Sequence, residues 1–95
     1  QPHLFSRTRD FMDGFATSLA LCDDLYLLDI YPARELPMEG ITSQVLLDKI
    51  DMRSKAMSSK STIVSDLKKK AREVIVIIGA GDIDTCVKPI TAAYQ

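Results

Sequence analysis

The chain has 95 residues, 12 of them basic and 13 acidic, and 46% are apolar. That length holds one domain, whose core buries roughly 60–65% of the unfolded surface. The even charge gives no reason to expect nucleic acid or an anionic membrane as a partner, and no apolar run is long enough to span a bilayer.

Cys22 and Cys86 are the only cysteines and His3 is the only histidine, too few ligands for an all-protein zinc site. Both cysteines fall in apolar helical patterns and are expected to be buried, reduced thiols of a cytoplasmic protein. An opening Gln1-Pro2 without methionine implies a fragment or a processed product.

After a non-periodic entry, a helix is predicted over 7–21. Phe11, Phe15 and Leu19 recur every fourth residue, and Met12, Ala16 and Ala20 widen the stripe. Ser6 or Thr8 is the expected cap, with Asp10 in the first turn. The run at 25–30 lacks polar alternation, as a buried strand does. Pro32 and Pro37 then hold an irregular loop over 31–41. Thr42 or Ser43 caps a short helix carrying Val45, Leu46 and Ile50, and a short strand is expected over 55–58. Ser59 caps the next helix, with Ile63, Val64, Leu67 and Ala71 facing inward. Lys68, Lys69, Lys70 and Arg72 crowd its last turns, as a solvated face or a polyanion site.

The unbroken β-branched run at 74–78 predicts a strand covered on both faces. It leads through Gly79-Ala80-Gly81-Asp82 into a final helix. That helix places Ile83, Val87, Ile90 and Tyr94 on one side and is kinked or split at Pro89. The resulting α-β-α-β-α-β-α order predicts right-handed crossovers and an α/β fold, with a mainly parallel sheet between two helix layers. The sheet is thin, and Gln1-Pro2-His3 has the character of a loop leaving a strand that the chain does not contain.

Ligands of open α/β sheets bind beyond the carboxyl ends of the strands, so 79–82 lies on the working edge. Gly79-Ala80-Gly81 begins like a dinucleotide fingerprint, but its third glycine would fall at Asp84 and too few residues follow. Asp82 also opposes a phosphate at a helix start. The glycines instead let backbone approach a small ligand or a neighbouring domain, or simply make a tight turn capped by Asp82.

His3, Ser6, Arg7 and Arg9 gather at the mouth of the first helix. Arg7 can hold a carboxylate or phosphate through two parallel hydrogen bonds, and His3 can donate or accept near neutral pH. The alternative is an ordinary solvated helix start. Tyr31-Pro32-Ala33-Arg34-Glu35 shares the same edge, either framing a small zwitterion or forming a surface ion pair of little energetic weight.

Three stretches, in order along nearly the whole chain, carry a resemblance. Gln1-Pro2-His3-Leu4-Phe5-Ser6-Arg7-Thr8-Arg9, Leu28-Asp29-Ile30-Tyr31-Pro32-Ala33-Arg34-Glu35 and Gly79-Ala80-Gly81-Asp82-Ile83 resemble the C-terminal domain of the Mur ligase family of peptidoglycan synthesis. The opening motif is that of the branch that adds L-alanine to UDP-N-acetylmuramate; the murein peptide ligase branch carries a different one. The resemblance implies a Rossmann-like three-layer domain here, truncated at its N-terminal end, within a three-domain enzyme of the bacterial cytoplasm. In that family the N-terminal domain binds the UDP-sugar and the central domain holds ATP and Mg2+. The C-terminal domain docks on the central one and receives the amino acid. ATP phosphorylates the muramyl carboxylate, and the L-alanine amine attacks the acyl phosphate, releasing ADP and phosphate.

No G-x-x-x-x-G-K-[ST] stretch occurs in this chain, so the resemblance implies that it binds little and catalyses nothing alone. Carried over by motif, His3, Ser6 and Arg7 face the alanine and the reacting phosphoryl group. Tyr31, Arg34 and Glu35 border the amino-acid pocket, and Gly79, Ala80, Gly81 and Asp82 supply its floor. Many members have arginine and tyrosine where this chain has Leu4 and Phe5, and glycine in place of Arg34. The competing reading is a stand-alone α/β module whose edge loops hold a small anion or a partner.

Overall fold

The computed structural model describes residues 1–95 as a small α/β unit. Two short helices open it, α1 (Phe5–Asp10) and α2 (Met12–Leu19). Strand β1 (Leu25–Leu27), helix α3 (Ser43–Lys49), strand β2 (Lys55–Met57) and helix α4 (Ile63–Leu67) follow. A 3₁₀ turn (Asp82–Cys86) then runs into α5 (Val87–Ala93). The strands pair in parallel, with Leu25, Tyr26 and Leu27 opposite Lys55, Ala56 and Met57.

Successive residues of an extended chain point to opposite faces, and Leu27 and Leu28 enter two different cores. Leu27 joins Met12, Ala16, Leu46, Leu47 and Ile50 from α2 and α3. Leu28 joins Ile63, Leu67, Ile83, Cys86 and Ile90 from α4, the 3₁₀ turn and α5. Beyond β1 the Leu28 carbonyl accepts from the buried Ser43 hydroxyl instead of from a strand.

The caps divide. Thr42 accepts from the Val45 N–H at 3.1 Å and starts α3 as expected, and Lys55 closes that helix by donating to Leu47 O and Ile50 O, each at 2.7 Å. Neither Ser6 nor Thr8 caps α1; its N-cap is Leu4. The predicted single helix is divided at Phe11 (φ −117°). Thr8 donates its hydroxyl back to Leu4 O, a bond that bends helices, and Gly14 weakens the following turn. Ser59 is likewise not the cap of α4, which is Thr62; Ser59 instead opens the turn before it, taking the Ile63 N–H on its carbonyl.

Three further expectations are corrected. The run at 74–78 forms no strand, and its only backbone hydrogen bond is the one that Ile78 O accepts from the Gln1 amino group at 2.8 Å. Ile75 and Ile77 pack on the second core, while Val74, Val76 and Ile78 are 79%, 72% and 66% exposed. The physical cause is a missing neighbour: β1 is occupied by β2 on one edge only. Second, Cys22 is exposed and only Cys86 is buried. Third, Val87 points outward and Cys86 takes its place on the buried face. Pro89 cannot donate to Thr85 O, so the chain winds as a 3₁₀ turn up to Cys86 and as α-helix only from Val87.

The basic run after α4 is spent internally. Arg72 and Lys70 both reach Asp24, Lys69 reaches Asp66, and Lys68 lies over the Tyr94 ring. These pairings leave little for a polyanion.

Candidate functional site

Three segments meet at one end of the unit: 1–7, 31–35 and 79–83. The first two are tied by backbone. Tyr31 N–H donates to Pro2 O and Leu4 N–H to Tyr31 O, both at 2.9 Å, and His3 and Tyr31 form a parallel bridge. Their rings stack at 5.6 Å between centroids and 18° between planes. Leu4 holds a left-handed φ of 71°, unusual for a leucine. Its carbonyl is pinned by the Thr8 N–H and hydroxyl at 3.1 and 2.9 Å. This turn sends His3 toward Tyr31 and delivers Ser6 and Arg7 on the first turn of α1.

Glu35 does not pair with Arg34. Its carboxylate accepts from the Ser6 N–H at 3.1 Å and from the Ser6 hydroxyl. The Ser6 hydroxyl, helped by the Ser6 and Phe5 amides and by the charge of Arg9, holds the Glu35 carboxyl below the usual carboxylate range. Arg34 and Arg7 are both exposed and make no ion pair or hydrogen bond through their guanidinium groups. Arg9 is taken by Asp10 at 2.8 Å. Arg7, His3 and Gly79-Ala80 are among the residues that line one apolar cleft.

The glycine loop is fitted to these neighbours. A Cβ on Gly81 would stand 2.4 Å from Tyr31 Cγ, and one on Gly79 would stand 2.5 Å from Ile83 Cγ2. The glycines therefore admit a close approach, as the sequence suggests, but to Tyr31 and to the chain's own next turn. Asp82 does not cap that turn. Its carboxylate accepts from Gln1 Nε2 at 2.8 Å and from Lys60 Nζ, while Gln1 Oε1 takes the Ile83 N–H at 3.1 Å. The Lys60 ammonium, then the Gln1 amide, holds the Asp82 carboxyl below its usual range. Gln1 and Lys60 escaped the sequence reading because their partners lie 81 and 22 residues away.

Carboxylates depressed in the folded chain bind protons less tightly than in the unfolded chain. Their stabilisation is complete above about pH 5 and is lost as pH falls through the low folded values. The urea midpoint is therefore expected to drop between pH 5 and pH 3. Glu35→Gln and Asp82→Asn should each flatten that drop, and a midpoint independent of pH in both variants and the parent would contradict the two linkages.

No three His, Cys, Asp or Glu side chains come together as a metal site, and no helix is long and apolar enough to cross a membrane. What the arrangement offers is an uncommitted guanidinium on the first turn of α1, lining the same cleft as a stacked histidine and glycine backbone.

A scan against protein-family profiles finds no match. Among curated proteins, the UDP-N-acetylmuramate–L-alanine ligase of Cytophaga hutchinsonii is 58% identical over 90 residues, 95% of this chain and 19% of that protein. The protein of the same name from Flavobacterium johnsoniae is 57% identical over 90 residues, and that of Christiangramia forsetii is 54% identical over 93. The chain spans about a fifth of the length of these relatives.

Proposed function

The chain is a fragment of the UDP-N-acetylmuramate–L-alanine ligase family, and from that premise we propose that it belongs to the C-terminal, amino-acid-binding domain of such a ligase. In this reading the domain is a Rossmann-like three-layer unit, of which the chain supplies the helices on both faces and part of the sheet. It docks on the central domain, where ATP and Mg2+ are held, and works in the bacterial cytoplasm. The whole enzyme joins L-alanine to UDP-N-acetylmuramate through an acyl phosphate, forming an amide.

The observation that carries the reading is Arg7, exposed and unpaired at the meeting point of three segments. A guanidinium held there by α1 is free to take an anion, the alanine carboxylate or the reacting phosphoryl group, with two parallel hydrogen bonds. His3 is stacked on Tyr31, with its Nδ1 buried and without a partner, and lines the same cleft as Arg7. Ser6 and Glu35, bonded to each other, set the spacing between α1 and the 31–35 loop. Arg34 stands at the rim of the amino-acid pocket. Gly79, Ala80, Gly81 and Asp82 form the floor, and closure over the central domain excludes water from the acyl phosphate.

Arg7→Ala in the full-length ligase is expected to lose at least about tenfold in kcat/KM for L-alanine-dependent phosphate release, ~1.4 kcal/mol of transition-state stabilisation. Arg7→Lys should recover only part, since an ammonium keeps the charge but not the paired geometry. Unchanged kinetics in Arg7→Ala would return the residue to an ordinary solvated helix start.

A further inference from the structure

Arg7 follows directly on a residue with no donor left to give. Ser6 directs both of its donors, the backbone N–H at 3.1 Å and the hydroxyl, to the Glu35 carboxylate. A serine hydroxyl has one proton to donate, and an ionised carboxylate has none. Ser6 therefore holds no bond in reserve for an anion, and Glu35 would repel one. The same contact closes the start of α1. A helix leaves its first N–H groups without partners, Leu4 makes no side-chain cap, and no acidic residue stands in the first turn. Glu35 supplies the acceptor from 29 residues away.

We propose that Glu35 is a positioning residue for Arg7: its carboxylate caps α1 from the 31–35 loop and so aims the Arg7 guanidinium at its anion, without touching the ligand itself. This role rests on the anion-binding function proposed for Arg7 above. The backbone on both sides of the clamp is built for it. Leu4 and Ala33 are the two non-glycine residues with a left-handed φ, 71° and 54°. Leu4 stands two residues before Ser6, and Ala33 two residues before Glu35. Such conformations cost energy and persist only where the surroundings over-determine them. Here the surroundings are the bonds that fold each turn. Thr8 donates its N–H and hydroxyl to Leu4 O, and Glu35 N–H donates to Pro32 O at 2.9 Å. The guanidinium, by contrast, has no anchor of its own, because Arg7 is exposed and makes no ion pair or side-chain hydrogen bond. Its direction is set by the turn that carries it, and that turn is tied to Glu35. A misplacement of about 1 Å can cost ~100-fold in rate, so a cap on the preceding residue is close enough to matter.

A double-mutant cycle in the full-length ligase tests it, read as L-alanine-dependent phosphate release from ATP. Glu35→Ala is expected to lower kcat/KM at least about fivefold, by no more than Arg7→Ala does, and with the same division between kcat and KM. Glu35→Gln keeps one carbonyl acceptor and should recover part of the loss. In the Arg7→Ala background, Glu35→Ala should change kcat/KM less than about twofold. In hydrogen exchange, the peptide covering residues 4–10 should open about tenfold faster in Glu35→Ala than in the parent. Equal losses from Glu35→Ala in both backgrounds would overturn the proposal. A misfolded variant would give that same result, since it loses activity with or without Arg7. Unchanged exchange over 4–10 would also overturn it. If Arg7→Ala itself changes nothing, the role given to Arg7 falls and the proposal with it. If Arg7→Ala is impaired and the two losses add, only the coupling to Glu35 falls.

Discussion

Leu46→Ala is expected to lower the unfolding free energy by about 2–5 kcal/mol, the range for emptying a leucine site in a packed core. Leu46 is 1% exposed and belongs to the cluster in which α2 and α3 meet β1. The upper part of the range is favoured, because its neighbours cannot close over the void. Ile50, just past the end of the same short helix, is also 1% exposed, and Leu47 within it is buried; Thr42 caps that helix at one end and Lys55 at the other. Urea unfolding followed by circular dichroism reads the loss directly. A change below about 1 kcal/mol, typical of a surface substitution, would mean that α3 does not pack as described.

Gly81→Ala is expected to cost about 1–3 kcal/mol, as an overpacked site does. The added methyl would lie 2.4, 2.5 and 2.8 Å from Tyr31 Cγ, Cδ1 and Cβ. Contacts so near the backbone cannot be relieved by swinging the ring alone. Either 79–82 moves off, or Tyr31 moves and loses its stack on His3. On the function proposed above, the same substitution in the full-length ligase should also raise KM for L-alanine, because it would displace the proposed floor and wall of the amino-acid pocket together. Gly14→Ala provides the control: nothing lies within 4 Å of its added methyl, and in a helix alanine is favoured over glycine by up to about 1 kcal/mol. A Gly81→Ala chain as stable as its parent would show that the loop and Tyr31 are not in contact.

The local rules made much of this fold legible. An apolar run without alternation marked β1, the Thr42 signal marked α3, and the 31–41 loop followed from its two prolines. The clearest strand pattern in the sequence, at 74–78, is the one that does not pair. Such a pattern records the burial a segment is suited to, whereas a strand also needs a neighbour with free N–H and C=O groups, and β1 and β2 use each other. Local rules also misplaced Ser6 and Asp82. Each is a residue type that caps helices, but each is drawn to a distant partner, Ser6 to Glu35 and Asp82 to Gln1 and Lys60. Competition between a local cap and a long-range bond is decided by tertiary packing, which spacing along the chain does not encode. The meeting of the three site segments was legible in outline, because strand ends in α/β sheets converge. The bonds that hold them together were not.

The measurement that bears most directly on the account is phosphate release from ATP by the full-length ligase carrying this chain, in the presence of UDP-N-acetylmuramate, with and without L-alanine. Release that depends on added L-alanine is the predicted result. A rate indifferent to L-alanine would contradict the proposed assignment of the chain to an L-alanine-adding ligase.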